Sequence, residues 1–141
     1  MKILILCTGN SCRSQMAQAI LQALDARLEV ASAGTHPAER VHPKAVQVIS
    51  ELGLSLKKHQ PHAVEEYLHD SWDYVITVCG GAHENCPTFI GHVKQRLHIG
   101  FEDPAEAQGA DADVLRVFRH VRDEILRDFF TFYQVHLRPH L

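Results

Sequence analysis

Apolar residues fall in two kinds of run along this chain. Ile3-Leu4-Ile5-Leu6 is short, unbroken and closed at once by a glycine-containing turn, the pattern of a buried strand. From Arg13 to about Arg27 the apolar positions are Met16, Ala17, Ile20, Leu21 and Leu24, whose spacing predicts an amphipathic helix. Leu28 to Ser32 reads as a second strand, ended by Ala33-Gly34. Pro43 can open a helix, Ala45, Val46, Ile49 and Leu52 give it one apolar face, and Gly53 suits the C′ position that ends it. Pro61 is expected to open a shorter helix carrying Val64, Tyr67 and Leu68. Tyr74 to Val78 is the strongest strand, being β-branched, aromatic or Thr throughout. A glycine-rich polar stretch follows it to Pro87, and Val93 to Ile99 can hold a fourth strand. The last segment, Val114 to Leu137, predicts a long helix with Val114, Leu115, Phe118, Val121, Ile125, Phe129 and Phe132 on one stripe. Aromatics at that spacing read as core packing.

Strands that alternate with helices imply parallel pairing through crossover connections. The expectation is an α/β fold, a single domain over residues 1–141 built as a three-layer sandwich around a four-stranded parallel sheet. In such a sheet ligands gather at the carboxyl ends of the strands. Leu6 leads into Cys7 and Val78 leads into Cys79, so the pattern already brings two thiols to one edge.

Composition narrows the function classes. With 45% hydrophobic and 22% charged residues, the 141-residue chain is globular rather than disordered or low-complexity. No apolar run approaches the ~18 residues of a membrane span, and the apolar start is too short for a signal peptide. A cytoplasmic monomer is expected. The net charge of −3, with histidine neutral, supplies neither the basic face that nucleic acid wants nor a polybasic segment for a membrane surface. Four cysteines stand at positions 7, 12, 79 and 86. Their gaps do not fit paired zinc knuckles, so reactive or buried thiols are the better reading. Of the 11 histidines, His59 and His62 flank Pro61, and His136 and His140 flank Pro139; none forms a metal-binding pair at helical spacing. No metal and no cofactor are expected.

The stretch Cys7-Thr8-Gly9-Asn10-Ser11-Cys12-Arg13-Ser14 joins the first strand to the first helix. A helix N-terminus offers free N–H groups and a partial positive charge, a ready oxyanion site. Gly9 is expected to let the backbone curl so that successive amides point inward. Arg13 adds a planar cationic fork for two oxygens of a tetrahedral anion. The same field should lower the pKa of Cys7 and make it a nucleophile, with Ser14 donating a hydrogen bond to the thiolate and Asn10 bracing the loop. Cys12 has no evident partner and reads as a small buried filler.

This loop resembles the signature loop of the low-molecular-weight protein tyrosine phosphatases. Ser32-Ala33-Gly34-Thr35 resembles that family after its second strand, and Asp103-Pro104 resembles its late aspartate, the general acid for the leaving group. Extended through Gln15-Met16-Ala17, the loop resembles the opening of the thioredoxin-coupled arsenate reductases within that superfamily. Val78-Cys79 with Cys86-Pro87, and Gly100-Phe101-Glu102-Asp103-Pro104-Ala105, resemble their redox segment and acid loop. The resemblance covers essentially the whole chain. It implies that residues Thr8, Gly9, Asn10, Ser11, Cys12, Arg13 and Ser14 bind the substrate oxyanion, arsenate. It further implies that Cys7, Arg13, Cys79, Cys86 and Asp103 are catalytic and that thioredoxin is the electron donor.

Reducing arsenate takes two electrons, which a dithiol supplies on becoming a disulfide; a phosphatase needs one cysteine. The order implied by the resemblance is a Cys7 thioarsenate adduct, then a Cys7–Cys79 disulfide, then a Cys79–Cys86 disulfide, each step by thiol–disulfide exchange. Cys79 and Cys86 would stand ~10.5 Å apart along a straight helix, whereas a disulfide needs Cα atoms within about 6.8 Å, so their segment must loop. The alternatives are a phosphotyrosine phosphatase, disfavoured because Ala105 and not an aromatic follows Asp103-Pro104, and a non-catalytic oxyanion or redox sensor. A weak phosphatase side activity is compatible with the first reading. Some reductases of this branch bind potassium beside the loop. Asn10 and Ser32 match that site, but Gln18 and His62 stand where its acids would be, so potassium is not expected; Gln18 is expected to bond Asn10 directly instead.

Overall fold

The computed structural model describes residues 1–141. Four strands, β1 (Lys2–Cys7), β2 (Glu29–Gly34), β3 (Trp72–Thr77) and β4 (Val93–His98), form one parallel sheet in the order β2-β1-β3-β4. Ile3, Leu4, Ile5 and Leu6 point alternately to the two faces, yet none is exposed, so both faces are covered and the sheet is the middle of three layers. The chain leaves β1 towards β2 on one side and returns as β3 on the other. The carboxyl ends of β1 and β3 are therefore the switch point of the sheet.

Helix α1 (Arg13–Leu24) packs on β1 and β2 and against α4 (Asp111–Phe132), which also meets α2 (Pro43–Ser50). Phe118, Val121, Ile125 and Phe129 of the expected stripe are wholly buried, while Val114 and Leu115 are only half-buried. Helix α1 stops before Arg27 because the Asp25 carboxylate accepts from the Arg27 N–H at 3.0 Å, an Asx turn that competes with the helix. Helix α4 begins earlier than its apolar stripe, since Asp111 and Asp113 favour an N-terminal turn. It ends at Phe132, and a π turn (Tyr133–Leu137) follows.

After α2, Gly53 N–H bonds the Ser50 carbonyl at 3.0 Å and Leu54 N–H bonds that of Ile49 at 3.4 Å. With Gly53 at φ +78°, this is the glycine stop that the sequence predicts. Pro61 does not open a helix. A single 3₁₀ turn (Val64–Tyr67) starts later, fixed by the Glu66 carboxylate, which accepts from the Ala63 N–H at 2.9 Å. The polar stretch after β3 is not irregular throughout: it holds a short helix, α3 (Gly80–Glu84), with Cys79 as its cap.

Candidate active site

The register of the sheet builds the site. Leu6 lies opposite Thr77, and Val78 N–H still bonds the Leu6 carbonyl at 2.9 Å, so Thr8 and Cys79 emerge level with one another. Accordingly, Thr8 Oγ1 lies 3.3 Å from Cys79 Sγ.

Between β1 and α1 the loop turns its carbonyls outward. Those of Cys7, Thr8, Gly9 and Ser11 accept from the N–H groups of Thr35, His36, Ala38 and His42 at 2.8–3.2 Å. The carbonyl of Asn10 accepts from Gln15 Nε2 at 3.2 Å, and that of Cys12 from Met16 N–H at 2.9 Å. In a trans peptide the next N–H points opposite to the carbonyl. The amides of Thr8 to Arg13 are thereby turned inward around Cys7, and that of Asn10 reaches the Cys7 sulfur at 3.1 Å. Such a ring of amides suits a tetrahedral oxyanion.

Two local features make this curl possible. Asn10 sits at φ +50°, a left-handed conformation that asparagine tolerates better than most residues. Gly9, expected to carry the curl, is not left-handed, and a Cβ on it would meet only ordinary contacts. The glycine that matters is Gly34, where a Cβ would overlap the Thr8 carbonyl oxygen. Asn10 is fully buried. Its Nδ2 donates to Ser14 Oγ at 2.7 Å and Ser32 Oγ at 2.9 Å. Its Oδ1 accepts from His62 N–H at 2.9 Å and Gln15 Nε2 at 3.2 Å. Gln18 does not touch Asn10 as expected. Its Oε1 accepts from Ser32 Oγ at 2.6 Å and its Nε2 donates to the Val30 carbonyl at 3.2 Å, because Ser32 stands between the two amides.

Cys7 is buried, with Ser14 Oγ 2.8 Å from its sulfur. Burial pushes its thiol pKa up, and the hydrogen bonds from Ser14 and Asn10, which pull it down, do not reverse the balance. This corrects the expectation of a lowered pKa, because desolvation of the buried thiol outweighs its hydrogen bonds. Arg13 lies 3.5 Å from Asp103 Oδ2 and donates to the Phe101 carbonyl at 3.1 Å. Those two contacts hold the Phe101–Asp103 segment against the loop that joins β1 to α1. Asp103 Oδ1 accepts from the Ala105 N–H at 3.0 Å, and its side chain keeps 29% exposure, open to a substrate oxygen.

Cys79 is buried and its sulfur accepts from the Ala82 N–H at 3.3 Å. Cys12 is buried, and that burial pushes its thiol up to about 12. Cys86 is half-buried beyond α3, and all four cysteines are free thiols. Cys7, Arg13, Asp103 and Cys79 thus share one edge, whereas Cys86 lies in an adjoining pocket with His83, Arg96 and His98. Sequence reading missed Gln15 and the Thr35–His42 segment that hold the loop. Gln15 is a polar residue on the buried face of an amphipathic helix, which was the available signal.

The pattern of the low molecular weight phosphotyrosine protein phosphatase family matches residues 2–135. An arsenate reductase of Halalkalibacterium halodurans is 42% identical over 131 residues, 92% of this chain and 93% of that protein. One of Bacillus subtilis is 42% identical over 124 residues, 87% and 88% of the two chains. Among solved structures, an arsenate reductase in the phosphate-binding state superposes with TM-score 0.78 at 30% identity, over 94% of this chain and 96% of that one. A tyrosine phosphatase from T. tengcongensis shares the fold, with TM-score 0.79 at 24% identity over 95% and 98% of the chains.

Proposed function

Because the chain belongs to the low molecular weight phosphotyrosine protein phosphatase family, we propose that it puts that family's oxyanion loop to redox use, reducing arsenate to arsenite with thioredoxin as electron donor. The observation that carries this reading is the second thiol at the same sheet edge: Cys79, joined to the loop through Thr8 Oγ1 at 3.3 Å. Hydrolysis of a phosphate ester has no use for it. The relatives named arsenate reductase support the same choice.

In the proposed mechanism the amides of Thr8 to Ser14 and the Arg13 guanidinium hold three arsenate oxygens. The raised pKa of Cys7 leaves it protonated, and the arsenate dianion is the base that takes its proton. Cys7 sulfur attacks arsenic, Asp103 passes that proton on to the departing hydroxyl, and water leaves a thioarsenate adduct. Cys79 thiolate then attacks the Cys7 sulfur. The S–As electron pair goes to arsenic, which departs as arsenite, and a Cys7–Cys79 disulfide remains. Cys86 attacks Cys79 and frees Cys7. The Cys79–Cys86 disulfide is returned to dithiol by thioredoxin.

The test is arsenate-dependent NADPH oxidation with thioredoxin and thioredoxin reductase. Turnover is expected in the wild type and none above background in Cys7→Ser. Phosphotyrosine hydrolysis without arsenate turnover would make the chain a phosphatase; arsenate turnover by Cys7→Ser would remove Cys7 as nucleophile.

A further inference from the structure

Cys86 lies in a cavity of about 200 Å³ between β3, α3 and β4. The titratable groups that face it there are His83 from α3 and Arg96 and His98 from β4; β3 brings Val75 and Thr77, which do not titrate, and no carboxylate lines the cavity. Each cation or imidazole is held. The Arg96 guanidinium lies over the Phe89 ring, 5.4 Å from its centroid, and Phe89 is itself buried. His98 Nδ1 is 2.8 Å from Thr77 Oγ1, and the His83 ring packs on the His98 ring with centroids 4.4 Å apart. The 86–89 stretch is thus clipped to β4 by one guanidinium that reaches both Phe89 and the Cys86 pocket.

We propose that Arg96 is a positioning residue for the resolving thiol, setting its guanidinium beside Cys86 in the pocket they share before α3 unwinds. The proposal rests on the relay described above. Burial pushes the Cys86 thiol up, and the neighbouring Arg96 charge opposes that rise. The step it serves is attack of Cys86 thiolate on Cys79 of the Cys7–Cys79 disulfide. The Cys79–Cys86 bond forms, the Cys7–Cys79 bond breaks, and Cys7 leaves as thiolate with no net change in electrons. A guanidinium beside the attacking sulfur raises its thiolate fraction at neutral pH.

The experiment is site-resolved alkylation of the reduced chain by iodoacetamide across pH 6–10, in wild type, Arg96→Gln and Arg96→Lys. In Arg96→Gln the midpoint for Cys86 should rise by about one pH unit, with roughly three- to fourfold slower alkylation at neutral pH. Arg96→Lys, which keeps the charge, should recover most of the shift, and the Cys12 and Cys79 profiles should not move. In a single turnover Arg96→Gln should release arsenite at the wild-type rate, yet form the Cys79–Cys86 disulfide roughly three- to fourfold more slowly, because the scarcer thiolate is also the more nucleophilic one. Superimposable Cys86 profiles in the three proteins would overturn the proposal, as would equal changes at all the thiols. A wild type that never turns over arsenate would sink the relay instead, and the alkylation profiles would still decide whether Arg96 acts on Cys86.

Discussion

Ser14, through its hydroxyl at 2.8 Å and its backbone amide, and the Asn10 amide at 3.1 Å work against the burial of Cys7, and the Ser14 hydroxyl comes first. Only the hydroxyl can be removed without disturbing the backbone. A hydrogen bond to a charged group contributes about 1.5–3 kcal/mol, so Ser14→Ala should lower the rate of the first chemical step by roughly 10- to 100-fold. The sign follows from the pKa. Burial already raises it, loss of the donor raises it further, and thiolate becomes scarcer at any fixed pH. Alkylation of Cys7 against pH should therefore shift to higher pH in Ser14→Ala. An unshifted curve would mean that Ser14 serves the Asn10 brace, to which it is bonded at 2.7 Å, and not the sulfur.

Helix α3 separates Cys79 from Cys86, the two thiols of the proposed second exchange, and its composition suits an element that must come apart for it. It has five residues, two of them Gly80 and Gly81, and glycine costs about 1 kcal/mol relative to alanine in a helix. Cys79 and Cys86 cannot join across an intact α3 followed by Asn85, so oxidation should unwind it. Cys86→Ser should then release one equivalent of arsenite and stall, with a Cys7–Cys79 disulfide on peptide mapping. Sustained turnover with thioredoxin would break the proposed order. Helix α2 carries a different device. His42 is its N-cap, and Nδ1 accepts from the Lys44 N–H at 3.1 Å, which only the neutral ring can do. Burial foremost, then the charges of Lys44 and Arg40, hold the His42 pKa below its usual 6.5. For a base depressed on folding, the unfolded chain binds more protons in the window below about 6.5, so stability is full above it and declines as pH falls. Denaturant midpoints of the wild type should fall between pH 7.5 and 5 by more than those of His42→Asn, which retains a cap that does not titrate. Parallel declines would remove His42 from the acid response.

At the scale of the whole molecule, what a period can encode was legible and what a single contact decides was not. The four strands and the long helices follow from runs and stripes such as Ile3-Leu4-Ile5-Leu6 and Phe118 to Phe132. Helix α3 was hidden because five residues rich in glycine carry no period. The loop and the Cys7/Cys79 edge were legible because motif and strand ends coincide in the chain. The bond from Arg13 to the Phe101 carbonyl, with a sequence separation of 88, and the raised pKa of Cys7 depend on packing that no local pattern specifies. The network around Asn10 shows the same division. Asn10, Ser32, Gln18 and His62 were all singled out, but their partners were not: Ser32 bridges Asn10 and Gln18, and His62 contributes its backbone N–H. This network ties α1, β2 and the chain before β3 to the oxyanion loop with neutral groups alone. The cavity beside it, lined by Gln18, Ser32, Lys58, His59, Gln60, His62 and Tyr67, has no carboxylate and a lysine. A hard monovalent cation wants several oxygens and draws most of its attraction from carboxylates, and imidazole nitrogen is a poor ligand for it. The Asn10 Oδ1 that such an ion would seek already accepts two hydrogen bonds. Potassium should therefore change melting temperature and arsenate turnover no more than sodium does at equal ionic strength. A potassium-specific rise in melting temperature would place an ion among Asn10, Gln18 and Ser32 and would require Ser32 to release Gln18.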